Sequence, residues 1–566
     1  PVFKEIARDK NTDLDVVGET GEHLLPDDAY DRFPYGEHPR NIALVARMAE
    51  HFGIRREYAI FQMADHVVPD LGVLKHYPEV RFLGRDVSFI VGNSANERAG
   101  FMSNWERLGL DEIDPGKDPR DRVVTVVNNR FDRIARSKVF ADILVRDVAA
   151  DRHVLIGTGI PGLKNYLADS LDNLLSNLKV FPDEADADLD AQTARRRLAE
   201  ICRRVRLTDY GDEQLVDFLE TMVESCGGEL TGEARQSAAD LVERIVDRGL
   251  ADDESLEEFR EACADLDAFN ALRDAVDDAA GDASATALQT VGAQEDGEHA
   301  EFLADLGRAD TDDIWEFWLE ALATTAAHRH LRDRLDAIFE EGAPRDTFRR
   351  RLHDLYRQRF WQLVETVDDP TVSGDYIIRD ATDVVPPGAK VRLLGTQNIK
   401  GTGLDLVYRW VELDQTLERI TELDDASSDG LLDTLREFEG TKSFGLLELL
   451  EGWRRLTALR AERKLTLMES TVLDRVRQHF GQLARQRWSS IARSGDDDSE
   501  SDSLKVKLLE GLERLLEPID AVRRRRKADQ LRQTFIDHRI SRNRMAVEMQ
   551  KLVKRQKGGW LVDKFT

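Results

Sequence analysis

Cysteine is scarce in this 566-residue chain. The three present, Cys202, Cys226 and Cys263, fall in helix-like stretches without paired spacing, which excludes a disulfide framework and a zinc site and fits a reducing compartment. Histidines are scattered, His38 and His66 among them, and none shows metal-ligand spacing. No apolar run reaches the length that spans a bilayer. Positive charge is also lacking: a net charge of -29 argues against nucleic acid as a partner, because phosphate backbones are bound by clustered Lys and Arg. Two nucleotide signatures are missing. Gly-x-x-x-x-Gly-Lys-Ser/Thr, whose amides cradle phosphates, occurs nowhere, so the chain alone is expected not to turn over ATP. Gly-x-Gly-x-x-Gly after a first strand is absent too; Gly157-Thr158-Gly159-Ile160-Pro161-Gly162 echoes it only weakly.

What is present is a pair of polar clusters, each following an apolar run. Val87-Ser88-Phe89-Ile90-Val91 leads into Gly92-Asn93-Ser94-Ala95-Asn96-Glu97-Arg98, and Val123-Val124-Thr125-Val126-Val127 leads into Asn128-Asn129-Arg130-Phe131-Asp132-Arg133-Ile134-Ala135-Arg136. Such runs read as buried parallel strands, and the carboxyl ends of parallel strands are where α/β sheets bind ligands. Both clusters should face one crevice holding Glu97, Asp132, Arg130 and Arg133, a set suited to an anionic substrate that carries an amine. Arg grips a carboxylate with two parallel hydrogen bonds, so Arg130 or Arg133 is the candidate clamp. A carboxylate can orient an ammonium and help remove its proton, the role expected of Asp132 or Glu97. The bland alternatives are a helix-start carboxylate for Glu97 and a surface ion-pair cluster for the arginines.

From about residue 169 the pattern changes. Segments 194–205, 212–224, 233–247, 313–326 and 328–340 carry apolar residues at helical spacing, with Trp315 and Trp318 as core residues. The stretches 183–188 and 277–297 read as loops, and 494–502 as a flexible polar segment. Strand-like patterning returns at Tyr376-Ile377-Ile378 and Val391-Arg392-Leu393-Leu394; Leu14-Asp15-Val16-Val17 reads as another strand. The basic run Arg523-Arg524-Arg525-Arg526-Lys527 is a solvated helix face or a contact for acidic lipid headgroups.

The order of these motifs resembles the carboxyl-terminal domain of the Mur ligase superfamily, in its poly-γ-glutamate synthase (CapB/PgsB-type) branch. Ala95-Asn96-Glu97 with Trp105 stands where that branch has Ala-Asn-Asp and a Trp, and Asn128, Arg130, Asp132, Arg133 and Arg136 follow its Asn-x-Arg-x-Asp-Arg-x-x-Arg run. Pro69-Asp70-Leu71-Gly72-Val73-Leu74-Lys75 is similar to its Pro-Asp-Pro-Gly-x-x-Arg segment, and His38-Pro39-Arg40-Asn41 to the start of a helix closing its ATPase domain. Far downstream, Gly395-Thr396-Gln397-Asn398-Ile399-Lys400-Gly401 resembles its closing Gly-x-x-Asn-Ile-x-Gly turn.

The resemblance implies an α/β Rossmann-like ligase domain with a mostly parallel sheet, interrupted by a large all-α insertion and followed by an all-α carboxyl-terminal region. The expected division is 1–55 for the end of the ATPase domain, 56–168 plus 375–412 for the ligase domain, 169–374 for an insertion folding as its own excisable bundle, and 413–566 for the extension. It implies an ATP-dependent amide ligase that adds an acidic amino acid, glutamate, through an acyl phosphate. Glu97 and Asp132 would be catalytic, and Asn96, Asn128, Arg130, Arg133 and Asn398 would bind substrate. Asn41 would touch the adenine of ATP. Magnesium and most of the nucleotide would sit on a P-loop half missing from the chain or supplied by a separate polypeptide. Further implied partners are a small membrane protein and a second copy of the chain, with a cytoplasmic location extending to the inner face of the membrane. A helical scaffold carrying a relic ligase domain stays open as the alternative.

Overall fold

The computed structural model describes residues 2–17, 32–67, 71–181, 190–277, 310–425, 428–440 and 444–494. Pro69 and Asp70, the loop expected at 183–188, all but residue 277 of the loop expected at 277–297, nearly all of the 494–502 segment and the 523–527 basic run lie outside them. The chain divides into two compact units, Pro1–His76 with Lys507–Thr566, and Tyr77–Val506.

In the first unit the described helices are α1 (Val2–Asp9), α2 (Pro39–His51) and α3 (Arg56–His66), followed by a two-residue strand at Lys75–His76. Ile42 and Ala46 of α2 close over Ile60 of α3, with Phe33 and Met63 against them. The strand expected at Leu14-Asp15-Val16-Val17 does not form: these residues are largely exposed, and the Asp15 carboxylate is drawn instead to Arg47 (2.7 Å) and His51 (3.0 Å) on α2. A leucine and two valines interrupted by Asp15 are too few to mark a strand when no neighbour buries them.

The second unit is α/β. Its strands are β1 (Val80–Phe82), β2 (Arg85–Val91), β3 (Asp121–Asn129), β4 (Arg152–Gly157), β5 (Val364–Thr366) and β6 (Lys390–Gln397). Spatial order runs β2, β6, β3, β4, β5, all parallel, with β1 antiparallel on β2. β6 arrives from more than two hundred residues downstream of β4 and takes an interior place. Val391 is level with Val87 on one side and Arg122 on the other. Its apolar side chains dictate this, since Val391, Leu393 and Leu394 are at most 2 % exposed and strands buried on both faces read as continuous apolar runs. Helices α4 (Arg98–Arg107), α5 (Ile134–Arg146) and α6 (Ile160–Asn177) follow β2, β3 and β4. Phe101 and Trp105 of α4 stack at 6.0 Å, and Phe140 of α5 meets Phe101 edge-on at 5.6 Å. Trp410 stacks on Phe89 of β2 at 5.6 Å.

Between β4 and β5 come α7 (Ala191–Arg204), α8 (Asp212–Ser225), α9 (Gly232–Arg248), α10 (Leu256–Ala264), α11 (Thr311–Glu340) and α12 (Arg345–Gln362). The helices expected at 313–326 and 328–340 are one, α11, because nothing between them breaks the apolar stripe. Two sequence readings are corrected here. The sheet resumes at β5, inside the stretch expected to be wholly helical; three half-buried residues are too few to show a strand period. Tyr376-Ile377-Ile378 is helical, in α13 (Gly374–Asp383): Ser373 caps it by accepting from the Tyr376 N–H, and Ile377, Ile378 and Ala381 share its buried face. The helices also bury charge against the sheet, where Glu320 of α11 takes Arg152 of β4 in a two-pronged pair at 2.6 and 3.1 Å. Among the described residues no helix is long and apolar enough to cross a membrane.

After β6 come α14 (Thr402–Asp425), α15 (Ser428–Glu439), α16 (Leu446–Glu462) and α17 (Leu467–Ser494). Where α13, α14 and α16 meet, Asp375, Arg409 and Glu448 are buried together; Arg409 lies 4.0 Å from Glu448 and 2.6 Å from Glu412. Burial first, and then the charge of Asp375, pushes the Glu448 carboxyl up to about 8 from an ordinary 4.5. A carboxyl whose folded-state value is raised favours folding below its unfolded value, and that contribution is lost as pH climbs through the folded one. Thermal stability should therefore decline between about pH 4.5 and 8 through Glu448, and Glu448→Gln, which keeps the shape without the titration, should flatten that decline. Melting curves across this range check it; an unchanged slope in the variant counts against the assignment.

Candidate functional site

The carboxyl ends of β2, β6, β3 and β4 lie along one edge, because the strands are parallel and in register: Val91 is level with Gly395, Asn128 with Gln397, and Asn129 with Gly157. The two polar clusters leave from this edge, as their spacing predicts. They are not on adjacent strands. β6 stands between them, and its closing turn joins them.

Asn398 is the junction. Its main-chain carbonyl accepts from Asn128 Nδ2 at 2.7 Å and from Asn93 Nδ2 at 3.3 Å, and its own Nδ2 donates to the Asn128 carbonyl at 2.9 Å. Asn128 Nδ2 also donates to the Lys400 carbonyl at 3.0 Å. Arg136 donates to Asn398 Oδ1 at 2.8 Å, which fixes it to the turn. Packing here leaves no spare room, and a Cβ on Gly403 would run into the Asn128 side chain. Gln397 holds a left-handed φ of +69°, a strained conformation for a residue with a side chain, and its amide nitrogen is buried without a hydrogen-bond partner. Asn93 Oδ1 is likewise buried and unpaired. Buried, unpaired polar atoms and local strain beside a binding edge are features that binding sites carry.

The arginine loop rests on a second brace. Asn129 Nδ2 donates to the Thr158 carbonyl at 2.8 Å, Ser137 donates to Asn129 Oδ1 at 2.7 Å, and the Phe131 N–H reaches Thr158 Oγ1 at 3.3 Å. Gly159 has φ +73° with its Cα against Phe131, an approach any side chain would block. The Gly-Thr-Gly turn that only faintly resembles a dinucleotide signature thus serves to support this loop.

On that loop Arg130 and Asp132 form a two-pronged pair, with Nε and Nη2 at 3.0 and 2.8 Å from the carboxylate oxygens, and Arg133 lies 3.8 Å away. Partial burial pushes the Asp132 carboxyl up, but the Arg130 bonds outweigh it and hold the group below its ordinary value. Burial and the charges of Arg133 and Arg130 push the Arg136 guanidinium down. Three arginines against one carboxylate leave the loop cationic. Arg133, whose side chain is 51 % exposed, is more available to a ligand than Arg130.

Asn96 and Glu97 are exposed on the β2 loop. Glu97 occupies the cap position of α4 without a side-chain capping bond, and Asn96 Nδ2 reaches only the Ser94 carbonyl at 3.4 Å. No hydrogen bond or ion pair joins either to Asp132 or Arg130 among the described residues. The structure therefore gathers Asn128, Asn398 and the Arg130–Asp132–Arg133 loop, and leaves Asn96 and Glu97 on their own arm. Asn41 belongs to the other unit, in the first turn of α2, where its amide donates to Glu37 at 2.7 Å. The sequence holds no Gly-x-x-x-x-Gly-Lys-Ser/Thr loop, and no group of His, Cys, Asp or Glu among the described residues is placed to hold a metal. The three thiols are buried and pushed up by that burial, Cys202 to about 12.

Residues 77–248 match the family described as the poly-gamma-glutamate synthase CapB C-terminal domain. The chain is also 28 % identical over 165 residues to the PGA synthase CapB of Bacillus subtilis (strain 168), an alignment that covers 29 % of this chain and 39 % of that protein. The chain thus spans about two fifths of the curated relative it matches. No solved structure matches the chain.

The Asn398 junction generates a stability contrast. Asn128→Ala should cost about 1–3 kcal/mol for each buried carbonyl left without its donor, with a clear fall in melting temperature. Arg130→Ala, which removes only a partly exposed ion pair, should cost less than about 1 kcal/mol. Denaturant titration of the two variants checks this. Equal losses would show that Asn128 is not the brace described.

Proposed function

We propose that this chain carries the amine-accepting part of an ATP-dependent amide ligase of the poly-γ-glutamate synthase type, built on a Rossmann-like ligase domain. The observation that carries the reading is the cationic Arg130–Asp132–Arg133 loop on the carboxyl edge of a parallel sheet, in the segment that matches the CapB carboxyl-terminal family. In this reading Arg133, with Arg130, grips a carboxylate of an incoming acidic amino acid, glutamate in the first instance. Asp132, ionised and held low by Arg130, suits holding the ammonium more than taking its proton. Glu97, on the opposite arm, is the group assigned to the proton. Asn96 orients that arm, while Asn128 and Asn398 keep the edge rigid so that the amine is held in line.

The reaction assigned is attack of the freed amine on an acyl phosphate: the C–N bond forms, the C–O bond to phosphate breaks, and the amine proton passes to the carboxylate. Formation of the acyl phosphate, with ATP and magnesium, belongs to a phosphate-binding half that this sequence does not contain. A small membrane protein and a second copy of the chain remain proposed partners, at the inner face of the membrane.

Calorimetric titration of the purified chain with L-glutamate should show binding that Arg133→Ala weakens about tenfold or more, with the melting temperature nearly unchanged. Asp132→Asn should weaken it similarly. Restored to a P-loop half, the same variants should abolish glutamate-dependent ADP release, whereas the chain alone should release none. Undiminished glutamate binding in both variants would remove the substrate role, and failure of any P-loop half to restore turnover would favour the helical scaffold.

A further inference from the structure

The carboxyl edge holds one cation that the proposed grip on a single carboxylate leaves unused. Arg136 lies in the first turn of α5, half-buried, and its Nη1 donates to Asn398 Oδ1 at 2.8 Å. Asn398 is itself tied to Asn128 at 2.7 and 2.9 Å, so the guanidinium is fastened to the braced part of the edge. Among the described residues its other N–H groups meet no acceptor, and no carboxylate comes within ion-pair distance of it.

The charges around Arg136 are few. Asp132 is the one carboxylate of the loop, and Arg130 takes it with two hydrogen bonds at 3.0 and 2.8 Å, which sets one charge against one. Arg133 approaches Asp132 only to 3.8 Å. The first turn of α5 carries no acid. Burial and then the like charges of Arg133 and Arg130 push the Arg136 guanidinium down, and Asp132 alone opposes them. Arg133 and Arg136 thus remain as two cations beyond the one that Asp132 matches. Two spare cations beside one acid mirror a molecule with two carboxylates and one ammonium. Inorganic phosphate would meet the arginines too, but Asp132 repels it.

We propose that Arg136 binds the second carboxylate of the incoming amino acid and so restricts the site to dicarboxylic ones, a role that rests on the proposed glutamate-binding loop. The chemistry divides the work between the two arginines. An α-ammonium and an α-carboxylate hang on the same carbon, so the groups that hold them must be neighbours, as Asp132 and Arg133 are at 3.8 Å. Arg136 stands three residues further along the chain, a rise of roughly 4.5 Å in a helix. It takes the carboxylate at the far end of the substrate's side chain. Its bond to Asn398 aims the guanidinium without using its charge, because an amide is neutral, and the remaining N–H groups suit a two-pronged grip. Glutamine, nearly the same shape but ending in a neutral carboxamide, leaves that cation unmatched.

Calorimetric titration of the full chain with L-glutamate, L-glutamine and inorganic phosphate tests this. The unmodified chain should bind glutamate about tenfold or more tightly than glutamine, and more tightly than phosphate. Arg136→Gln, which keeps a donor for Asn398, should bring glutamate down to the affinity of glutamine and leave glutamine where it was. Arg133→Ala should weaken both amino acids together, because both carry the α-carboxylate. Should Arg136→Gln not fold, Arg136→Lys decides, with a preference for glutamate that is reduced but not lost. An Arg136 variant that loses both affinities alike or keeps the full preference, or phosphate binding tighter than glutamate, overturns the assignment and leaves the glutamate-binding loop standing. Absence of glutamate binding to the unmodified chain removes the loop's role and this one with it.

Discussion

The structure depends on β6 sitting between β2 and β3. These neighbours share no ladder of their own: each satisfies its backbone on that side through β6, a strand supplied more than two hundred residues after β4. Bringing so distant a segment home costs closure entropy, though the cost grows only slowly with length. A buried apolar strand paired on both edges offsets it. The arrangement of the carboxyl edge follows from this placement, because the turn that ends β6 brings Asn398 between the two polar clusters and joins them by hydrogen bonds.

Charge is distributed in two regimes. The chain as a whole is strongly acidic, whereas the sheet carries arginine at both ends of its strands: Arg130, Arg133 and Arg136 at the carboxyl edge, Arg122 and Arg152 at the amino edge. At the carboxyl edge the arginines are partly exposed and flank a single aspartate, an arrangement open to a ligand. At the amino edge they are buried against helices, with Asp151 taking Arg122 and Glu320 taking Arg152. The same residue type serves architecture where water does not reach it, and is proposed to serve recognition where water does.

The similarity to poly-gamma-glutamate synthase CapB falls on the first part of the second unit, where β2, β3 and β4 and their loops lie. The helices between β4 and β5 continue well beyond the matched segment. They are bound to the sheet through buried ion pairs and lie away from the binding edge, which makes them a support for the strand starts in the proposed ligase.

The sequence by itself determined the interior strands, since Val87-Ser88-Phe89-Ile90-Val91, Val123-Val124-Thr125-Val126-Val127 and Val391-Arg392-Leu393-Leu394 are too apolar to lie anywhere but inside a sheet. It likewise determined most of the long helices, whose apolar spacing repeats over several turns. The Asn128, Arg130, Asp132 and Arg133 cluster was legible too, because it follows a strand directly. Short elements were not: β5 has three residues, and Tyr376-Ile377-Ile378 fits either period until Ser373 caps a helix. Only the tertiary structure decided that β6 separates β2 from β3, that Asn398 joins the clusters while Glu97 stays apart, and that Arg122, Arg152, Arg206 and Arg359 converge on one cavity. Local periodicity reports which face of an element is buried. Which partner buries it is set by contacts between residues hundreds of positions apart, and no local pattern encodes those.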